Sequence, residues 1–100
     1  MGLRIVLHRR VEQDLQDIRN YLLRAATPRA AENVRAHLQR RIQSLARLPH
    51  MGRPTSDPEV RILPPTRYQY RIYYTVSVDA VIMLHIRHTA RRAPNPGELL

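Results

Sequence analysis

The sequence predicts an α+β domain in the order β-α-α-β-β-β, an antiparallel sheet with an αα-hairpin packed on one face. Three observations carry that prediction. Apolar residues recur at steps of three and four from Val11 to Leu48, the period of a helix face. A Thr27-Pro28 pair divides that stretch in two, with a good N-cap followed by a residue suited to the first helical position. From Val60 onward the period changes to two, in runs cut by Pro64-Pro65 and by an Asp79-Ala80 turn.

The elements follow in order. Leu3 to Leu7 (LRIVL) is a short apolar, β-branched run and reads as the first strand. Val11, Leu15, Ile18, Leu22 and Ala25 form the apolar face of a first helix. Glu12, Asp14 and Asp17 lie near its start, where the helix dipole favours negative charge, while Arg9 and Arg10 make a poor entry. The second helix carries Ala31, Val34, Leu38, Ile42, Leu45 and Leu48 inward, and Pro49 and Gly52 stop it. Residues 49–59 are a proline-rich loop. Val60 to Leu63 is a second strand. In the third, Tyr68, Tyr70, Ile72, Tyr74, Val76 and Val78 share one face, and Gln69, Arg71, Tyr73, Thr75 and Ser77 share the other. Val81 to Arg87 is the last strand, with Ile82, Leu84 and Ile86 set against Met83, His85 and Arg87. Residues 1–92 form one domain on this reading, and residues 93–100, with two prolines and a glycine, form a flexible tail.

Composition bounds the function. The formal charge is +9, and all 17 basic residues other than histidine are arginine. Arginine binds phosphate and carboxylate bidentately, so the balance suits a nucleic acid or an acidic protein partner. A high-GC genome would equally account for the absence of lysine. With no cysteine, neither a disulfide framework nor a thiolate metal site is available. His85 and His88 are three apart near a strand and point to opposite faces, so no metal or cofactor is expected. No apolar run approaches the ~20 residues of a membrane span, and the start is too short for a signal peptide, which makes the cytoplasm the expected location.

Two groups of side chains carry candidate chemistry. On the hairpin of the last two strands, Arg71 and Tyr73 face the region of His85 and Arg87. Arginine, tyrosine and histidine on an open sheet face suit a partner surface, including single-stranded RNA; a merely solvated face has the same pattern. Past the last strand, His88 with Arg91 and Arg92 could act on a phosphodiester, since histidine titrates near ~6.5. No serine or glycine-rich motif offers another reaction.

Taken together, these residues resemble the RelE/ParE superfamily of type II toxins. The resemblance rests on LRIVL, Asp14-Leu15 with Ile18 and Tyr21-Leu22, Pro28-Arg29-Ala30-Ala31, and Leu45 with Leu48-Pro49. It continues through Gly52-Arg53, Val60-Arg61, Tyr70-Arg71-Ile72 with Tyr74, and His88-Thr89-Ala90-Arg91. The long hairpin, the Leu-Pro-x-x-Gly-Arg loop and the His-x-x-Arg ending look more like the ParE branch. That branch implies inhibition of DNA gyrase with no hydrolytic site. The RelE branch implies ribosome-dependent mRNA cleavage, for which Arg61, Arg71, His88 and Arg91 would be the catalytic candidates. Either branch implies a cognate antitoxin whose acidic C-terminal segment docks on the toxin, with Arg71, Tyr73, His85 and Arg87 as its contacts. A heterotetramer or larger complex, touching DNA only through the antitoxin, is the implied assembly. A third reading, from composition alone, is a basic nucleic-acid-binding module.

Overall fold

The computed structural model describes residues 2–100. Its elements are β1 (Arg4–Leu7), α1 (Arg9–Ala25), α2 (Pro28–Ser44), β2 (Arg53–Pro54), β3 (Arg61–Leu63), β4 (Tyr70–Val76), β5 (Ala80–His88) and a terminal 3-10 helix (Pro96–Leu99). The α+β class and the two-helix hairpin are those expected. The five-stranded sheet has the order β1-β5-β4-β3-β2. The expected antiparallel pairing holds from β5 through β2, but β1 runs parallel to β5. Alternation reads the same in both directions, so it gives no sense of strand polarity, and the sheet is mixed. The strand β2 is a two-residue addition within the proline-rich loop.

Both helices start at side-chain caps. Thr27 Oγ1 accepts the Ala30 N–H at 3.0 Å, as the Thr-Pro pair implies. At α1 the cap is His8, whose Nδ1 accepts the Arg10 N–H at 3.0 Å while its own backbone N–H donates to Met83 O at 2.9 Å. The imidazole thus supplies the start that Arg9 and Arg10 do not. The helix α2 ends at Ser44, and Leu48, expected to face inward, is 60% exposed.

The main core lies between the hairpin and one sheet face. Val34, Leu38 and Ile42 of α2 and Val11 of α1 meet Leu63, Ile72, Tyr74, Val81, Met83 and Ile86. Met83 and Ile86 cannot share a face in a regular strand. A bulge permits it: Tyr73 pairs with His85 but Tyr74 pairs with Met83, so Leu84 is the extra residue on β5. The expected grouping of Ile82, Leu84 and Ile86 against Met83, His85 and Arg87 is therefore broken at Leu84. The hairpin turn also sits earlier than expected. Ser77 N–H donates to Ala80 O and Ala80 N–H to Ser77 Oγ across Val78 and Asp79, and Val78 is 97% exposed at the tip.

The opposite sheet face is not open along its centre. Val60, Tyr73, Leu84 and Leu99 form a second small core, with Ile62 and Ile82 against it. Leu99, in the segment expected to be a flexible tail, is 5% exposed, and Asn95 Oδ1 caps its 3-10 turn through Gly97 N–H. The chain end is anchored there because the bulge turns Leu84 to that face and gives Leu99 an apolar seat.

Candidate functional site

The helix α1 leaves its apolar stripe unfinished. Val11 is fully buried, but Leu15 and Ile18 are only half-buried, although they point toward the sheet. Between α1, α2 and β1 this leaves a groove of about 620 Å³ with Ile5, Leu7, Leu15, Ile18, Leu38 and Ile42 along it. Its rims are polar: Glu12, Gln16 and Arg19 on α1, and Arg35, Gln39 and Gln43 on α2. Arg35 is held by Glu32 at 2.7 Å, an exposed pair that also keeps the Glu32 carboxyl below its ordinary pKa, and by a hydrogen bond to Gln39. An apolar trough with amide and charged rims suits an amphipathic segment.

A second, smaller cleft of about 400 Å³ lies at the far end of α1. The strand β5 runs on beyond β1, which pairs only with Ala80 to Met83. The exposed edge so created is closed by a side chain. Asp14 Oδ2 accepts the Ile86 N–H at 2.9 Å and lies 2.6 Å from His85 Nδ1, with both side chains mostly buried. Asp14 therefore substitutes for a missing strand neighbour, a role distinct from the helix-dipole compensation the sequence suggested. Its signal was available: Asp14 falls three residues after Val11, on the apolar face, where an unpartnered acid would be costly. Asp17, Tyr21, Tyr70, Arg87, His88 and Arg91 line the rest of the cleft.

The residues singled out in the sequence do not form one site. Arg71 and Arg87 are direct cross-strand partners on the face away from the helices. Tyr73, expected on that open face, is 3% exposed beneath the terminal segment. Burial pushes its phenol pKa up, against the opposing pull of Arg71 and Arg87. His85 stacks on Tyr73 at 6.2 Å and turns its Nδ1 to Asp14, leaving Nε2 3.5 Å from Arg87. Arg61 lies opposite Tyr74, on the other side of the sheet from Arg71, and donates to Gly52 O at 2.7 Å. His88 meets Tyr70 edge-on at 5.2 Å, and its Nδ1 accepts the Ala90 N–H at 2.9 Å. In the neutral ring that bond puts the proton on Nε2, so the lone pair a general base would use is already engaged. His88 and Arg91 share the smaller cleft with Asp14 and Asp17, whose carboxylates oppose an incoming phosphate. Among the described residues no group of three or more histidine and acidic side chains is placed to hold a metal ion. No helix among them is long and apolar enough to cross a membrane.

The fold and these surfaces can be set beside known proteins. A family model described as the ParE toxin of the type II toxin-antitoxin system parDE matches residues 5–93. The chain belongs to the ParE toxin family. The match runs from within β1 through both helices and the other four strands, and it agrees with the RelE/ParE resemblance read from the sequence. Solved structures share the architecture. The chromosomal ParDE system from P. aeruginosa aligns with a TM-score of 0.80 at 20% identity, covering 87% of this chain and 96% of that one. An arginine mutant of the E. coli toxin RelE in the free state gives 0.66 at 13% identity, covering 88% and 84%. The toxin-antitoxin complex RelBE2 from Mycobacterium tuberculosis gives 0.60 at 18% identity, covering 88% and 99%. No curated protein sequence matches.

Proposed function

We propose that this ParE-family toxin inhibits DNA gyrase and is silenced by a cognate antitoxin. The observation that carries the partner reading is the groove between α1 and α2, an apolar surface the chain does not close for itself. A solved neighbour of this fold is a toxin-antitoxin complex, which supports an antitoxin as the occupant. An amphipathic antitoxin segment would lay its apolar side on Leu15, Ile18, Leu38 and Ile42. Its acidic continuation would meet Arg71 and Arg87, which face each other with no carboxylate paired to either among the described residues. A toxin-antitoxin heterotetramer or larger assembly follows if the antitoxin itself dimerises. The cytoplasm is where such a complex and its target would meet.

Gyrase is favoured over mRNA as the target because the cleavage set does not converge. Arg61 and Arg71 lie on opposite sheet faces, and His88 has its Nδ1 engaged. The test is direct. Purified chain added to gyrase and relaxed plasmid should block supercoiling and accumulate cleaved DNA, while ribosome-bound mRNA stays intact. Ribosome-dependent cuts that disappear in His88→Ala or Arg91→Ala would replace this reading with the RelE-like one. For the partner, Leu15→Glu with Ile18→Glu should weaken antitoxin binding by at least a hundredfold, and Arg71→Glu with Arg87→Glu by less. Undiminished binding by the groove variant would place the interface elsewhere.

A further inference from the structure

The arginines are unevenly matched to acids. Among the described residues, arginine forms ion pairs at Arg4–Asp79 and Arg35–Glu32. The flank of α2 turned away from the groove has a different character. There His37, Arg40 and Arg41 stand beside the connection between β3 and β4. His37 Nε2 lies 3.2 Å from Thr66 Oγ1, and its ring meets Tyr68 edge-on at 5.1 Å. The Arg67 guanidinium stands over the Tyr68 ring, 5.6 Å from its centre. Arg41 is fixed by a 2.6 Å bond to Pro64 O. Burial and then the charges of Arg41, Arg40 and Arg67 push the His37 pKa below its ordinary value, so all three cations act on one imidazole. No carboxylate pairs with any of the three among the described residues.

We propose that this patch, His37, Arg40, Arg41, Thr66 and Arg67, binds the phosphodiester backbone of duplex DNA. Three guanidiniums gathered without an acid repel one another, and a polyanion removes that repulsion while releasing its own counterions. An acidic peptide fits less well. Protein partners anchor through buried apolar or aromatic side chains, and the one phenol ring here, Tyr68, is already covered by Arg67 and edged by His37. The same coverage argues against a single strand, which needs free aromatic faces for base stacking. A duplex presents only phosphates and sugars to such a surface, and guanidiniums and a hydroxyl are what those require.

The choice of DNA over RNA rests on the gyrase reading, since gyrase holds duplex DNA. The patch itself does not depend on it. The groove is lined by Arg35, Gln39 and Gln43 on the other flank of α2, so an antitoxin seated there leaves His37 and Arg41 uncovered. The toxin would then touch DNA directly, beyond the expected contact through its antitoxin.

The test titrates the full chain with a mixed-sequence DNA duplex, an RNA duplex and a polyglutamate peptide at several salt concentrations. NMR follows the His37 ring, assigned with His37→Gln. DNA should bind, and Arg40→Gln with Arg67→Gln should reduce the salt slope by about two, roughly one for each phosphate no longer neutralised. The control pair Arg9→Gln with Arg24→Gln removes the same charge elsewhere and should change the slope by less than half as much. Bound DNA should also raise the midpoint of the His37 titration. Equal slope changes in the two double variants, or a His37 midpoint that DNA does not move, would overturn the proposal. Binding to polyglutamate with none to duplex would do so too, and would hand the patch to an acidic protein. A preference for the RNA duplex would overturn the choice of DNA. Gyrase inhibition is scored separately, so its failure with DNA binding intact removes only the target reading.

Discussion

At the scale of single residues, the tightest constraint is Gly52. Its N–H donates to Tyr74 Oη at 2.9 Å, and a Cβ there would stand 2.5 Å from that oxygen and 2.9 Å from Ile62 O. No positive φ is involved, so the need for glycine is one of space alone. Gly52→Ala should cost about 1–3 kcal/mol by overpacking, read from chemical denaturation. Tyr74→Phe should cost a similar ~1–3 kcal/mol by stranding the Gly52 N–H. The two should not add fully, because removing the hydroxyl relieves the shortest contact, although those to Ile62 O and to the ring carbon Cε1 at 2.9 Å remain. His37 sets a second expectation at this scale. Its folded pKa lies below the unfolded value near ~6.5, so the unfolded chain takes up the proton first as pH falls. Above that value His37 exacts no penalty. Stability is then lost as pH drops from there through the folded pKa, as burial of the ring against Thr66 and Tyr68, and then Arg41, Arg40 and Arg67, oppose protonation. Unfolding midpoints measured across this window should fall more for the native chain than for His37→Gln.

At the scale of elements, the start of the second helix and the strand run were legible because their signals are local. The Thr27-Pro28 start, the steps of three and four and the alternation of β4 depend only on neighbours in the chain. Three features were not legible. The polarity of β1 leaves no trace in a pattern that is the same in reverse. The bulge at Leu84 inverts facing without altering composition, so Ile82, Met83 and Leu84 lie on the sides opposite to those expected. The seat for Leu99 exists only because of that inversion. Where β5 runs past β1, Asp14 contacts both His85 and the Ile86 N–H and clips α1 to the bare edge of the strand. Asp14→Ala should cost about 1–3 kcal/mol by leaving the Ile86 N–H without an acceptor. The expected sign is faster hydrogen exchange at the Ile86 amide, with Asp14→Asn intermediate because it keeps one oxygen.

At the scale of the whole molecule, the excess of arginine was plain from the sequence, but its distribution was not. Arg71 and Arg87 are neighbours as expected, although the earlier turn and the bulge at Leu84 together set that pairing. Arg61 falls on the other face, and Arg40, Arg41 and Arg67 come together only through the packing of α2 on the Pro64–Tyr68 connection. The groove is invisible in the sequence for a related reason. Periodicity marks Leu15 and Ile18 as apolar and inward, yet says nothing about whether the chain has enough of itself to cover them. A stripe that reads as complete core is left half uncovered.

The sheet's two margins differ in kind. On one side β2 is two exposed residues long and ends in Pro54, which has no N–H to offer a further strand. On the other, β1 offers four residues, and Ile5 and Leu7 open onto the groove. A chain with only one receptive margin cannot pass strand pairing along from molecule to molecule. Edge-to-edge pairing through β1 would therefore stop at a pair, since a partner strand laid along it would leave no margin at which a fibre could grow.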